Sequence, residues 1–103
     1  MMNYASHYSR LIERARHRVL DGYRERHHVV PKCMGGGNEL ENIVELTAEE
    51  HFVAHQLLVK IYPSVLNLAH ALMYMAKKCN GNKAYGWLRR RHILAMKLNK
   101  ARN

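Results

Sequence analysis

Several features that mark common classes of small protein are absent or scarce in this sequence of 103 residues. The only two cysteines, Cys33 and Cys79, are isolated, so neither a disulfide framework nor a structural zinc ribbon is supported. No apolar run approaches the roughly 20 residues of a membrane span, and the arginine-bearing N-terminus lacks the apolar stretch of a signal peptide. We therefore expect a single domain in a reducing cytoplasm, with no membrane as partner.

Acidic residues are scarce as well, since 8 Asp and Glu stand against 17 Lys and Arg for a net charge of +9. By segment, residues 1–26, 27–76 and 77–103 carry +3, −3 and +9, and the last segment contains no acid. Two basic flanks around a mildly acidic centre suit a polyanion such as nucleic acid. On charge alone, a merely solubilising surface explains the basic excess equally well.

Apolar spacing and turn residues predict the order of the elements. A helical period predicts a first helix over residues 3–21, which ends at Asp21-Gly22. "YRERHHVVP" indicates a short strand that stops near Pro31, a loop with three successive glycines follows, and "NIVEL" indicates a return strand. Thr47 and Glu50 form a capping-box pattern, so a helix is expected from there to about Tyr62.

Two more helices are expected towards the C-terminus. Residues 64–79 are strongly apolar and are followed by Asn80-Gly81, a helix-ending pair. The last segment is predicted to pack one apolar face on the core and to leave its basic residues outside that face. The apolar face would comprise Ala84, Trp87, Leu88, Leu94, Ala95 and Leu98. The sequence thus predicts a fold of class α+β.

Four of the eight histidines form two pairs that are expected to converge. His51 and His55 lie one turn apart on the same face of the capped helix, where neutral imidazoles can bind one ion together. Because the hairpin and this helix are neighbours in sequence, His27 and His28 should pack beside them. In a regular strand these two would point to opposite faces, so both reach one site only if the strand bends or ends there.

The stretch from Glu25 to His55, "ERHHVVPKCMGGGNELENIVELTAEEHFVAH", resembles the HNH nuclease motif of the ββα-metal (His-Me) superfamily. It is similar above all to small HNH endonucleases of phages, including homing-type ones, and "LLVKIYP" and "AYGWLRRRH" extend the similarity. The resemblance implies a ββα-metal core with an N-terminal helix and two C-terminal helices. In that arrangement a single nuclease domain spans residues 1–103, with the core motif at 24–62 and helical flanks at 3–21 and 64–100.

The resemblance also implies roles for individual residues. His27, His51 and His55 would hold one divalent cation, His28 would be the general base that takes a proton from water, and Asn42 would brace the loop and help orient the base. The implied reaction is hydrolysis of DNA phosphodiester bonds to 5′-phosphate and 3′-hydroxyl ends. Many HNH enzymes instead have Asp at the first ligand position and Asn on the helix, so the working metal is open. Nitrogen ligands favour zinc, nickel, cobalt or manganese, whereas magnesium or manganese can support turnover.

Other polar residues near the motif are candidates for supporting roles. Glu25 lies two residues before His27 and can hydrogen-bond a ligand histidine, although an ordinary solvated carboxylate explains it equally well. The residues predicted to contact DNA are Arg24, Arg26, Lys32, Arg89, Arg90 and Arg91. The three consecutive arginines point in different directions around a helix, so at most two can face one DNA strand.

Two alternatives to an enzyme stay open: a non-cleaving nucleic-acid-binding accessory protein with the same metal-stabilised fold, and a structural domain whose ion only holds helix to hairpin. A free histidine beside the ligands favours the nuclease, because a pure binder needs no general base. No separate reader module is visible, so we expect mostly backbone contacts to DNA. The oligomeric state is open between a monomer, which would nick, and a homodimer, which could cut both strands. A phage-encoded protein would act in the cytoplasm of its bacterial host.

Overall fold

The structure is a computed structural model of the chain and describes residues 3–77, 83, 85–87, 90, 93–94 and 97. Its elements are α1 (Tyr4–Arg16), β1 (Glu25–His28), β2 (Ile43–Leu46), α2 (Ala48–Ile61) and α3 (Leu66–Ala76). Two short 3₁₀ turns, Lys32–Met34 and Leu40–Asn42, lie between the strands. The described residues beyond Lys77 are helical and form the C-terminal segment. The predicted α+β class is confirmed, with β1, β2 and α2 in the order of a ββα-metal core.

The two strands form an antiparallel hairpin whose register decides which side chains face inwards. His27 is paired with Val44, and Glu25 is paired with Leu46. Directly opposed residues share one face of a sheet, and both Val44 and Leu46 are buried in the core. Glu25 and His27 are therefore directed to the side of the hairpin that the helices cover.

The start of α2 is held by the capping box that the sequence predicted. The Thr47 hydroxyl accepts a hydrogen bond from the Glu50 amide at 3.1 Å, and the Glu50 carboxylate accepts one from the Thr47 amide at 2.9 Å. Arg18, after the end of α1, donates to the same carboxylate. Burial raises the pKa of Glu50, but hydrogen bonds from Arg18 and Thr47 outweigh it, so that pKa lies below its usual value. The ion pair links the segment after α1 to the first turn of α2.

Two apolar clusters hold the helices against the hairpin. The first joins α1, β2, α2 and α3 through Tyr8, Leu11, Ile12, Ala15, Val44, Leu46, Ala54, Leu58 and Leu68. The second joins α2, α3 and the C-terminal segment through Ala48, Phe52, Met75 and Tyr85. Phe52 and Tyr85 stack with ring centroids 5.5 Å apart, which places the C-terminal segment over the start of α2.

The end of α1 differs from the prediction. The helix ends at Arg16, with His17 as its C-cap, rather than at Asp21-Gly22. Val19, predicted to continue the apolar face, is 96 % exposed. The reason is Arg18, three residues before the predicted end: its side chain binds Glu50 and the Glu45 carbonyl, which takes the chain out of the helical path. Similarly, α3 begins at Leu66 rather than at Ser64.

The predicted apolar face of the C-terminal segment is wrong for the residues that are described. Trp87 and Leu94 are 60 % and 55 % exposed, whereas Tyr85 is buried. The contact of Tyr85 with Phe52 sets the rotation of this segment. Ala84, Leu88, Ala95 and Leu98, together with Cys79, lie outside the described residues. Within the described ranges, Cys33 is an exposed free thiol, and no helix has the length and apolar character needed to cross a bilayer.

Candidate metal centre

His27, His51 and His55 form a cluster in which one ring nitrogen from each lies within 4.8 Å of the others. The ring centroid of His27 lies 5.3 Å from that of His51 and 5.3 Å from that of His55. His27 is only 2 % exposed, because it sits on the inner face of β1 beneath α2. Over the part of the chain that the structure describes, this is the one cluster of three or more side chains suited to bind a metal ion.

Glu25 determines which ring nitrogen of His51 is available. Its Oε1 lies 2.7 Å from His51 Nδ1. A carboxylate accepts hydrogen bonds, so Nδ1 carries the proton and Nε2 keeps its lone pair. His51 Nε2 faces His55 Nε2 at 3.2 Å. Two nitrogens bound tetrahedrally to one cation at ~2.0–2.1 Å are roughly 3.3 Å apart, so this spacing fits a shared cation.

Glu25 is itself held in place by two tyrosines. The Tyr23 hydroxyl donates to Glu25 Oε2, and the Tyr85 hydroxyl lies 3.5 Å from Oε1. The Glu25 side chain is 10 % exposed. A carboxylate that is held by several donors orients the imidazole that donates to it. The C-terminal segment thus takes part in positioning His51.

Two histidines of the cluster, His27 and His55, are neutral at physiological pH. Burial lowers the pKa of His27 to about 3, with further lowering from the neighbouring His51, His55 and His28. Burial also lowers the pKa of His55 to about 4, with a smaller effect of the same sign from His51. Its Nδ1 is buried without a hydrogen-bond partner. Metal ions bind the unprotonated form of imidazole, so the donor set fits a divalent cation.

We expect the metal-free protein to lose stability on acidification from pH 6.5 to about 4. An ordinary histidine in the unfolded chain binds its proton near pH 6.5, whereas His27 and His55 in the folded protein do so only near pH 3 and 4. The unfolded state therefore holds more protons throughout this range, and the free energy of unfolding falls as the pH falls, by up to about 1.4 kcal/mol per pH unit for each histidine. Urea unfolding in the presence of a chelator measures this slope.

The control for this pH dependence is a comparison of two substitutions. His55→Gln should make the slope smaller, because glutamine takes up no proton and only the contribution of His27 is left. His70→Gln, at an exposed position on α3, should leave the slope as it is in the original chain. Equal stability at both ends of the pH range would contradict the expectation.

His28 lies at the end of β1 and borders the same cavity as the cluster. The cavity has a volume of about 190 Å³ and is lined by Arg26, His27, His28, Pro31, Lys32, His51, His55 and Leu58. Adjacent histidines can share it because β1 ends at His28, where the strict alternation of the strand stops. His28 Nε2 lies 2.9 Å from Asn38 Oδ1. With the amide in that orientation, Nε2 donates and Nδ1 keeps its lone pair.

Asn42 ties together the two ends of the loop that carries Asn38. Its Oδ1 accepts from the Val30 amide at 2.8 Å, and its Nδ2 donates to the carbonyls of Val30 and Gly37 at 3.0 and 2.9 Å. Gly36 allows this closure, because a Cβ there would lie 1.8 Å from the Val30 carbonyl oxygen. Gly35 adopts φ 92°, a conformation that favours glycine. The run of glycines therefore allows a tight turn beside His28, and Asn42 holds that turn closed.

The basic residues predicted to contact DNA differ in their placement. Arg26 and Lys32 line the cavity beside the histidines. Arg24 Nε instead lies 2.5 Å from Glu45 Oε2, and Arg90 makes two hydrogen bonds of 2.7 Å to the Glu49 carboxylate. The remaining two predicted contacts, Arg89 and Arg91, lie outside the described residues. The structure thus brings two of the six to the cavity.

A larger cavity of about 530 Å³ lies between α1 and α2, and it is not the candidate centre. It is lined by Tyr4, His7, Arg10, Leu11, Arg14, Val53, Gln56, Leu57 and Lys60. Only one of these side chains, His7, belongs to the types that commonly bind metal ions. The smaller cavity contains the convergent imidazoles. The candidate site is therefore chosen by the chemistry of its side chains and not by the volume of the cavity.

Comparison with known proteins finds relatives in a bacteriophage. The chain is 57% identical over 63 residues to "Probable mobile endonuclease E" of Enterobacteria phage T4, which is 60% of this chain and 45% of that protein. It is 44% identical over 97 residues to "Probable mobile endonuclease B" of the same phage, 85% of this chain and 36% of that protein. It is also 44% identical over 75 residues to "Probable mobile endonuclease D" of that phage, which is 68% of this chain and 29% of that protein. These relatives are mobile endonucleases by name.

The chain spans less than half the length of these curated relatives, at 45%, 36% and 29% of each. No protein-family model matches the chain, and no solved structure matches it. The similarity therefore relates this chain to part of each longer phage protein.

Sequence reasoning missed several residues that contact the site, among them Tyr23, Asn38 and Tyr85. Tyr23 precedes Glu25 by two positions, so the alternation of an extended chain could have placed it on the same side. Asn38 is the first polar residue after the glycines, but the motif resemblance assigns the asparagine of the loop to Asn42. Tyr85 is 60 positions from Glu25, and no local pattern could have found that contact.

Proposed function

We propose that this chain carries the catalytic domain of an HNH-type, metal-dependent DNA endonuclease of phage mobile-element character. The observation that carries the proposal is the convergence of His27, His51 and His55 within 4.8 Å, with His28 on the wall of the same cavity. The names of the phage relatives support an endonuclease as the activity class. The order of the ββα unit and the Gly-rich loop agrees with the motif resemblance.

The three-histidine cluster is proposed to hold one divalent cation. Such an ion would supply positive charge to stabilise the charge that develops on a phosphate during hydrolysis. Three neutral nitrogens suit zinc or nickel, and magnesium or manganese is expected to support activity because phosphate and water add oxygen donors. Glu25 orients His51 and holds its ring in the tautomer whose Nε2 lone pair is free.

His28 is proposed to act as the general base. Since its Nε2 is occupied by Asn38, Nδ1 is the atom that accepts a proton from the attacking water. Asn42 acts on His28 indirectly, because it holds the loop that carries Asn38, the partner of His28. Attack by water on the phosphorus with departure of the 3′ oxygen leaves 5′-phosphate and 3′-hydroxyl ends.

Substrate DNA is proposed to be bound mostly through its backbone. Arg26 and Lys32 border the cavity and are both exposed, so each can meet a phosphate next to the scissile bond. Arg24 and Arg90 would have to exchange their carboxylate partners for phosphates. DNA contacts from Arg89 and Arg91 stay predictions from the sequence, as does the extent of the domain, and the oligomeric state stays open between a monomer and a homodimer.

Incubation with supercoiled plasmid tests the proposed activity. Magnesium, manganese, zinc and nickel are added one at a time after treatment with a chelator, and the products are separated into open-circle and linear forms. Metal-dependent conversion is expected, with 5′-phosphate ends that a ligase can rejoin. A protein that shifts the mobility of DNA without any cleavage under all four metals would support the non-cleaving accessory protein instead.

Substitution of Asn38 tests how His28 is oriented. Asn38→Ala is expected to lower the cleavage rate roughly 10-fold, because His28 loses the acceptor that fixes its ring while the base itself remains. Asn38→Asp, whose carboxylate also accepts from Nε2, should retain more activity than the alanine variant. The measurement is the initial rate of plasmid nicking, with Asn67→Ala on the exposed side of α3 as the matched control. Cleavage by Asn38→Ala at the original rate would contradict a role of Asn38 in orienting His28.

A further inference from the structure

We infer that Tyr8, on α1 and outside the ββα unit, is a positioning residue that fixes the tautomer of His27 and thereby directs its Nδ1 lone pair towards the cation. The inference rests on the proposed three-histidine cation site. It assigns to the N-terminal helix a part in metal binding, beyond packing against the core.

The contacts of the Tyr8 hydroxyl decide the position of a proton. The oxygen lies 2.7 Å from His27 Nε2 and 2.7 Å from the carbonyl oxygen of Val29. A phenol has one proton to donate, and a carbonyl oxygen can only accept. The Tyr8 proton therefore goes to Val29, and the remaining contact is a hydrogen bond only if His27 Nε2 donates to the phenol oxygen.

The proton on Nε2 leaves the other ring nitrogen free. A neutral imidazole carries one N–H, so His27 Nδ1 is unprotonated and can serve as the metal donor. Tyr8 is 9 % and His27 2 % exposed, so water has little access to replace the phenol. A buried N–H without a partner is costly, and this cost disfavours rotation of the ring or a change of tautomer.

Tyr8 does for His27 what Glu25 does for His51. In each case one ring nitrogen is bound by a fixed acceptor, Tyr8 Oη at 2.7 Å or Glu25 Oε1 at 2.7 Å, and the other ring nitrogen is left as the possible metal donor. Acceptors behind ligand histidines set ring orientation and typically change metal affinity 10–100-fold. The difference is that Glu25 belongs to the hairpin, whereas Tyr8 reaches the site from α1.

The test compares Tyr8→Phe with Tyr4→Phe in the full chain. Both remove one hydroxyl from α1 and keep an aromatic ring, but Tyr4 lies one turn earlier and lines the cavity between α1 and α2 instead. Zinc and cobalt affinities are measured by competition with a chelator, without DNA. Tyr8→Phe is expected to bind about 10–100-fold more weakly, and Tyr4→Phe to bind like the original chain. Unchanged affinity in Tyr8→Phe would overturn the inference.

The tautomer is measured directly by long-range ¹H–¹⁵N correlation of the histidine rings in the metal-free protein. His27 is expected to show a protonated Nε2 in the original chain and in Tyr4→Phe, and a mixture of tautomers in Tyr8→Phe. A protonated Nδ1 in the original chain would overturn the inference, even if Tyr8→Phe failed to fold. Neither readout involves cleavage, so a chain that binds metal through this tautomer but cuts no DNA would contradict the proposed function alone.

Discussion

Replacement of His28 by alanine is expected to lower the rate of plasmid cleavage by about 10²–10⁴-fold, the range for loss of a general base. His28 borders the cavity but is not one of the three clustered imidazoles, so the cluster should keep its geometry. Because His28 is half-buried and its ring bonds to a loop residue rather than to the core, the fold should also survive. The rate of nicking and the zinc affinity, measured on the same preparation, separate chemistry from binding.

The control for His28→Ala is His70→Ala, which removes an exposed imidazole from α3. That variant should cleave at the original rate. Added free imidazole should restore part of the activity of His28→Ala if the missing group is a base, but should not accelerate the control. Near-normal cleavage by His28→Ala, with the usual dependence on metal, would contradict the role of His28 as general base.

Replacement of His55 by alanine is expected to remove metal binding and, with it, cleavage. His55 is the best ligand to delete, because its Nδ1 has no hydrogen-bond partner and its Nε2 contacts only the ring of His51 among the described hydrogen bonds. His51→Ala, in contrast, would leave the buried Glu25 without its imidazole partner. We expect zinc affinity to fall by more than about 100-fold, beyond the effect of losing an outer partner.

Thermal unfolding gives an independent measure of the same loss. A ligand that binds only the folded state at 100 times its dissociation constant stabilises the fold by about 2.7 kcal/mol. Zinc should therefore raise the unfolding midpoint of the original chain and of His70→Ala, but not that of His55→Ala. If zinc stabilised His55→Ala as strongly as the original chain, the cation would have to be bound elsewhere.

The two predictions together separate the enzyme from its alternatives. If the ion were only a structural support, His55→Ala would lower the stability of the domain, whereas His28→Ala would leave its measured properties unchanged. A non-cleaving DNA-binding protein would show no plasmid cleavage to lose in either variant. Loss of cleavage in both variants, with loss of metal binding in His55→Ala alone, is the pattern expected of the nuclease.

Local sequence patterns predicted the parts of the fold that depend on neighbouring residues. The Thr47 capping box and the helix up to Ile61 follow from side chains within one turn of each other, and the hairpin follows from two β-branched stretches around a Gly-rich loop. The four histidines could be selected for the same reason, since the spacing of His51 and His55 and the adjacency of His27 and His28 are visible in one short stretch. Their convergence was an expectation that required the packing of α2 on the hairpin.

The errors in prediction occurred where a distant contact overrides a local pattern. The period of α1 continues to Val19, yet the helix ends at Arg16 because Arg18 binds a carboxylate on α2. Trp87 belongs to the predicted apolar face, but it is exposed because Tyr85 takes the buried position against Phe52. In both cases the spacing of residues carried no information about the partner.

The amino-acid sequence by itself determined the class of fold, the order of the ββα unit and the imidazoles available as ligands, because each depends on residues close together along the chain. Only the tertiary structure decided which nitrogen of His27 and which nitrogen of His51 is bound by an acceptor outside the cluster. That choice depends on Tyr8 and Glu25, which lie 19 and 26 positions from the rings they bind. A proton is placed by hydrogen-bond partners in space, and such partners exist only after the helices have packed on the hairpin.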